Sequence, residues 1–225
     1  MLRRGLLALL SLASGLAMAG SVAVPMAGGS LEVAVTSFQE SRYQTIMRQQ
    51  KDFSCGSAAL ASLLSYHYDF PVSELDVFKG MLTHADAEKV RREGFSMLDM
   101  KRYLEVHGYT ADGFRLPLDD LREKAGVPAI VLLNLDGFRH FVVLKGVRAH
   151  EVLVGDPTRG LRIMPRNEFE TAWNGVVFLI RSQLSLGREG FNRPVEWHKV
   201  ARMTSAPDTP SLGNLMLALP LGLEW

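Results

Sequence analysis

One cysteine stands in the 225 residues, and its surroundings suit chemistry. In RQQKDFSCGSAALASLL, Cys55 marks the change from polar sequence to an alanine- and leucine-rich run. That run is made of helix formers, with Leu60, Leu63 and Leu64 at helical spacing, so Cys55 is expected to open a helix. Unpaired N–H groups and partial positive charge at a helix start favour the thiolate, which is the nucleophilic form of sulfur. Gly56 would let the backbone approach a ligand with no Cβ in the way. Gln49 and Gln50 upstream offer neutral N–H donors for an oxyanion.

A cysteine nucleophile needs an imidazole partner. Of the six histidines, His67, His84 and His107 fall in expected helices or at helix ends, His150 in a turn and His198 in weakly patterned sequence. None stands at metal-ligand spacing, so neither a metal nor another cofactor is expected. His140 differs: it follows the turn DGFR and opens the apolar strand FVVLKGV, where a polar residue can face a cleft from a fixed strand. Asp156 closes EVLVGD on the strand expected to pair with that of His140, so it is the carboxylate placed to orient the imidazole. Asp-Pro is also a common turn opener, which leaves a purely structural role open for Asp156.

The elements that must carry these groups change character midway. Helices are expected after Cys55, from Ser73 with an S-x-x-D cap, over ADAEKVRREG to Gly94, and from Ser96 to Gly108. Strands follow at 128–135, 140–147, 151–157, 160–165 and 175–181, with a short helix at 167–173. This order indicates an α+β fold in which N-terminal helices pack on a mainly antiparallel sheet. Residues 20–30 read as a linker, 31–38 as a strand, and from Ser182 the pattern weakens into a C-terminal extension, 182–225.

Composition narrows the function classes. With 25 Lys and Arg against 24 Asp and Glu, net charge is +1, which leaves no electrostatic footprint for nucleic acid. MLRR followed by GLLALLSLASGLAMA reads as a signal peptide, residues 1–19, cleaved after Ala19. No later segment is long and apolar enough to span a bilayer. The expected location is therefore the periplasm or the exterior, where an unpaired thiol is disfavoured; that weights Cys55 toward function. The apolar tail LGNLMLALPLGLEW is a candidate docking segment for a partner.

Taken together, these stretches resemble a family. RQQKDFSCGSAALASLL is similar to the Q-x(5)-C-G-x-A-A-L box of the C39-type cysteine peptidases, which process bacteriocin precursors at double-glycine leaders. GFRHFVVLKGV resembles their histidine box, and VLVGDPTRGLRIMPRNEFETAWNGVVFLI their Asp-Pro box, including a Trp173-Asn174-Gly175 turn. The similarity spans about residues 31–181. It implies a papain-like fold with Cys55 as nucleophile, His140 as general base and then acid, Asp156 as orienting carboxylate, and Gln49 rather than Gln50 as oxyanion donor. The implied partner is a peptide or protein substrate, such as a leader-bearing precursor, cut at Gly-Gly-like sites. Family members fused to ABC exporters use ATP; no P-loop motif stands in this chain, so no ATP is expected. The stand-alone, exported arrangement resembles the C39-like peptidase component of Pseudomonas functional-amyloid secretion systems, which would make an amyloid subunit a substrate. A non-catalytic C39-like chaperone or adaptor that only binds an exported peptide is the alternative, and acyl or amide transfer would use the same triad.

Overall fold

The computed structural model describes residues 21–26, 29–34 and 37–204. The expected signal peptide and the apolar C-terminal tail lie outside the described residues. The chain divides into two units, Met1–Ser37 and Phe38–Trp225.

In the first unit, β1 (Ser21–Met26) pairs antiparallel with β2 (Gly29–Ala34). Residues 20–30 are thus not a plain linker: alternating valines in VAVPM and LEVAV favour an extended, paired backbone. The second strand also ends earlier than expected, and α1 (Phe38–Arg42) takes up residues read as its end.

The second unit begins with α1 and continues with α2 (Cys55–His67), α3 (Glu74–Leu82), α4 (Ala87–Glu93) and α5 (Met97–Val106). Next come β3 (Ala111–Arg115), a short α6 (Leu118–Asp120) and a π turn at Leu121–Ala125. The remaining elements are β4 (Ala129–Leu135), β5 (Phe138–Val147), β6 (Glu151–Asp156), β7 (Gly160–Pro165), α7 (Arg166–Ala172), β8 (Trp173–Ile180), α8 (Leu184–Glu189) and α9 (Pro194–Thr204). Six of these strands form one antiparallel sheet in the order β3-β8-β4-β5-β6-β7.

Helix α2 is buried on nearly every face from Cys55 to Leu64, which explains its small residues. Alanine and serine let α3, α5 and the sheet approach it closely. The serines are satisfied locally: the single Ser57 O–H has the Ser54 carbonyl and Glu74 as acceptors within reach, and Ser62 Oγ donates to the Ala58 carbonyl. Leu60, Leu64, Met100, Leu104, Phe141 and Val143 form the core on the α2 side of the sheet. The opposite face is covered by α6, the π turn and α7 over Val131, Val142, Leu144 and Val154.

The caps read from sequence are present. Ser73 accepts from the Asp76 N–H, Gly94 ends α4 at φ 75°, and Ser96 and Asp99 form a reciprocal capping box. Ser96→Ala is expected to lower the unfolding free energy by about 1 kcal/mol. A urea titration checks this, and an unchanged midpoint would show that the cap does not operate in solution.

Further elements of the second unit escaped the sequence reading. β3 is an edge strand with a Gly at its centre, α8 and α9 lie in the extension, and residues 173–175 open β8 instead of forming a free turn. The amphipathic helix α9 buries Trp197 and Val200 against Leu153 and Leu161. Tertiary cover, not local pattern, orders this part of the extension.

Candidate active site

Cys55 occupies the first position of α2 and is 6% exposed. The preceding Ser54 does not cap the helix: its hydroxyl donates back to the Lys51 carbonyl and accepts from the Lys51 N–H. The Ser54 side chain therefore does not compete for the N-terminal amides beside the sulfur. Gly56 does not face a ligand, as its expected role required. It is buried, and a Cβ there would meet the Met100 side chain at 2.9 Å, Phe95 at 3.4 Å and Phe141 at 3.5 Å. Its missing side chain is a packing requirement that seats α2 against α5 and the sheet.

His140 lies near the start of β5, 3% exposed, and its Nε2 is 2.8 Å from Asp156 Oδ1. Cys55 is near enough to act on the proton affinity of the ring. With Nε2 taken by Asp156, the other ring nitrogen, Nδ1, is buried and has no hydrogen-bond partner among the described residues. Burial pushes the imidazole pKa down; the bonds and charges of Asp156 and Cys55 outweigh it and raise the pKa to about 9. Phe138 stacks on the ring with centroids 5.9 Å apart and is itself 57% exposed.

Asp156 is 1% exposed and ends β6. Besides His140, its Oδ1 accepts from the N–H groups of Thr158 at 2.9 Å and Arg159 at 3.2 Å, and Oδ2 accepts from Arg162 Nε at 3.2 Å. Burial opposes its ionisation, yet His140, the Thr158 amide and Arg162 together hold its pKa below the ordinary carboxylate value. The turn role and the contact with the imidazole thus hold at once: one oxygen closes the Asp-Pro-Thr turn and also meets the ring. The turn needs Gly160, at φ 77°, where a Cβ would lie 2.6 Å from that of Arg42.

Gln49 is tied to this turn. Its backbone N–H donates to the Pro157 carbonyl at 3.0 Å, and its side-chain oxygen accepts from Thr158 Oγ1 at 3.0 Å. Its side-chain nitrogen donates to the Lys51 carbonyl at 3.0 Å. The structure thus brings Cys55, His140 and Asp156 into one connected set and links Gln49 to it through the turn. His67, His107 and His198 stand elsewhere, on α2, at the end of α5 and on α9.

Two neighbours were not foreseen. Arg162 reaches Asp156 because β6 and β7 form a tight hairpin, a relation that the spacing of six residues fits only once the register is known. Phe138 belongs to β5 itself, and the turn residues ahead of it hid its place. A cavity of about 460 Å³ runs from Cys55 between α5 and the sheet, with Phe95, Met97, Leu132, Phe141 and Val176 as apolar walls and Lys89, Glu93 and Arg139 among its polar residues. Such a cavity can take apolar side chains of an extended chain that presents a carbonyl to the sulfur.

Residues 43–185 match the Peptidase C39 family. The chain is 45% identical over 178 residues to the probable functional amyloid protease FapD of Pseudomonas aeruginosa, covering 79% of this chain and 78% of that one. It is 42% identical to the protein of the same name from Pseudomonas fluorescens, covering 80% of each. Among solved structures, a double glycine motif protease from an AMS/PCAT transporter, in complex with its leader peptide, superposes with a TM-score of 0.51 at 27% identity, covering 60% of this chain and 89% of that one. The peptidase domain of Streptococcus ComA shares the fold, with a TM-score of 0.52 at 19% identity, covering 60% of this chain and 96% of that one.

Proposed function

The chain belongs to the peptidase C39 family of cysteine peptidases, and we propose that it is an exported endopeptidase that cuts proteins of a functional-amyloid secretion system by a Cys55–His140–Asp156 mechanism. The observation that carries this is the buried His140–Asp156 bond beside Cys55 at the head of α2.

An imidazole with a pKa of about 9 holds its proton at neutral pH. His140 then starts the cycle as imidazolium, rather than as a free base. The Cys55 sulfur attacks the scissile carbonyl, a C–S bond forms, and the carbonyl electron pair moves to oxygen. The backbone N–H of Cys55 stabilises that oxyanion together with Gln49, which exchanges the Lys51 carbonyl for it. Collapse breaks the C–N bond, and the departing amine takes the Nδ1 proton. Neutral His140 next removes a proton from water, hydroxide adds to the thioester, and collapse returns thiolate and imidazolium. Asp156 stays ionised throughout and holds Nε2–H.

Upstream apolar residues of the substrate lie in the cavity beside Cys55, and small residues of the Gly-Gly kind precede the cut bond. Relatives named as probable functional amyloid proteases support a substrate from such a system. Among the described residues no helix is long and apolar enough to cross a membrane. The test is mass spectrometry of protein termini from strains carrying this chain or its Cys55→Ala variant. Termini that appear only with the thiol support the proposal, and identical sets overturn it.

The pH profile gives an independent check. Because Asp156 and Cys55 raise the His140 pKa, the imidazolium is lost above about pH 9, and kcat/KM should fall there. Asp156→Asn removes an anion that raises it, so this alkaline limb should move down by roughly 1–3 pH units, with kcat reduced by about 100-fold or more. A limb that stays in place would rule out His140 as the titrating group. The same raised pKa stabilises the fold fully below about pH 6.5, and that contribution fades as pH rises through about 9.

A further inference from the structure

Lys145 lies on β5, the strand that carries His140, and is fully buried. An ammonium in that position is tolerated only when its donors are met. Lys145 Nζ donates to the Thr45 carbonyl at 3.1 Å, to Thr45 Oγ1 at 2.9 Å and to Glu196 on α9. One side chain thus joins the strand of His140, the segment that leads to Gln49 and Cys55, and a helix beyond the family-matched residues 43–185.

The same segment is held at other points. Lys199 of α9 donates to Gln44, the Met47 N–H donates to Ser62 Oγ at 2.8 Å, and the Gln49 N–H donates to the Pro157 carbonyl next to Asp156. The Ile46 side chain fills the space a Cβ on Gly155 would take, 2.9 Å away. Stability alone does not call for a buried charge, because an apolar pair of similar volume serves as well or better. An apolar pair cannot, however, grip a backbone carbonyl and a hydroxyl on a third segment. Lys145 does both, and Glu196 keeps its charge in place.

We propose that Lys145 and Glu196 are positioning residues: through Thr45 they hold the segment 45–49 in register with Cys55, which makes α9 a working part of the active site. This deepens the peptidase assignment of Cys55 and rests on it. The apolar double variant Lys145→Met/Glu196→Leu in the full chain separates positioning from mere packing. It should melt at or above the wild-type temperature. Its kcat on a Gly-Gly-aminomethylcoumarin peptide should fall about tenfold or more, with KM within roughly twofold. Amide exchange at Met47 and Gln49 should quicken while α2 and β5 keep their protection.

A stable double variant with wild-type kcat overturns the proposal, as does unchanged exchange at 45–49. If the double variant does not fold, Thr45→Val takes its place: it removes one acceptor and leaves the ion pair, and a wild-type kcat there is equally fatal. Cleavage of the same peptide by Cys55→Ala at the normal rate would instead refute the peptidase assignment, while the exchange measurement would still judge the tether.

Discussion

Cys55→Ala is expected to abolish cleavage, with turnover reduced by roughly 10⁴-fold or more, while the protein stays folded. The two halves of this expectation have different causes. On the proposed mechanism catalysis is lost because the nucleophile is gone: Cys55 is the only sulfhydryl in the chain, and it lines the cavity. Whatever the oxyanion donors still stabilise without a nucleophile is the small residue of rate that remains. The fold survives because only a sulfur is removed from the first position of α2, whose anchoring comes from Leu60, Leu63 and Leu64 deeper in the core. A loss of about 1 kcal/mol is expected from the small void. Peptide cleavage and a thermal melt on the same preparation separate the two, and wild-type turnover in a folded Cys55→Ala protein would end the mechanism.

Glu196→Ala is expected to have the largest effect on stability, a loss of about 3–5 kcal/mol. The variant leaves the Lys145 ammonium fully buried with Thr45 alone as partner. Burial already pulls the Lys145 pKa below its ordinary value, with Glu196 as the chief group opposing that shift. Such a loss is a large part of the 5–15 kcal/mol that domains possess, and for a chain of this size it lowers Tm by roughly 10 °C. One oxygen of Glu196 is buried without a partner, so the pair is imperfect even in the native protein. That is why removing both charges should restore what removing one destroys. Urea unfolding of Glu196→Ala decides the matter: a change below about 1 kcal/mol would mean that Lys145 is not held as a buried ion.

Much of the site could be read from residue order alone, and the reasons are local. Cys55 sits where a helix must begin, because polar residues give way to a run of helix formers, and a helix start has the same unpaired amides in any fold. His140 and Asp156 could be matched because short turns between consecutive strands nearly force neighbours in the sheet, and β5 and β6 are such neighbours. The caps at Ser73 and Ser96 depend on contacts three residues apart, so their positions were legible as well.

What sequence alone determined, then, is the chemistry available and the elements that carry it: one sulfur at a helix head, one imidazole and one carboxylate on adjacent strands, in a helical half followed by an antiparallel sheet. Tertiary structure decided the rest. It made Gly56 a packing residue and not a ligand contact, turned a loosely patterned extension into a helix sealed by Trp197, and set Lys145 between Thr45 and Glu196. It also set Asp156 against the ring of His140, which helps raise the imidazole pKa. Burial, close approach and the strength of a charge depend on atoms distant in the chain, and no local pattern encodes those neighbours until the chain has folded.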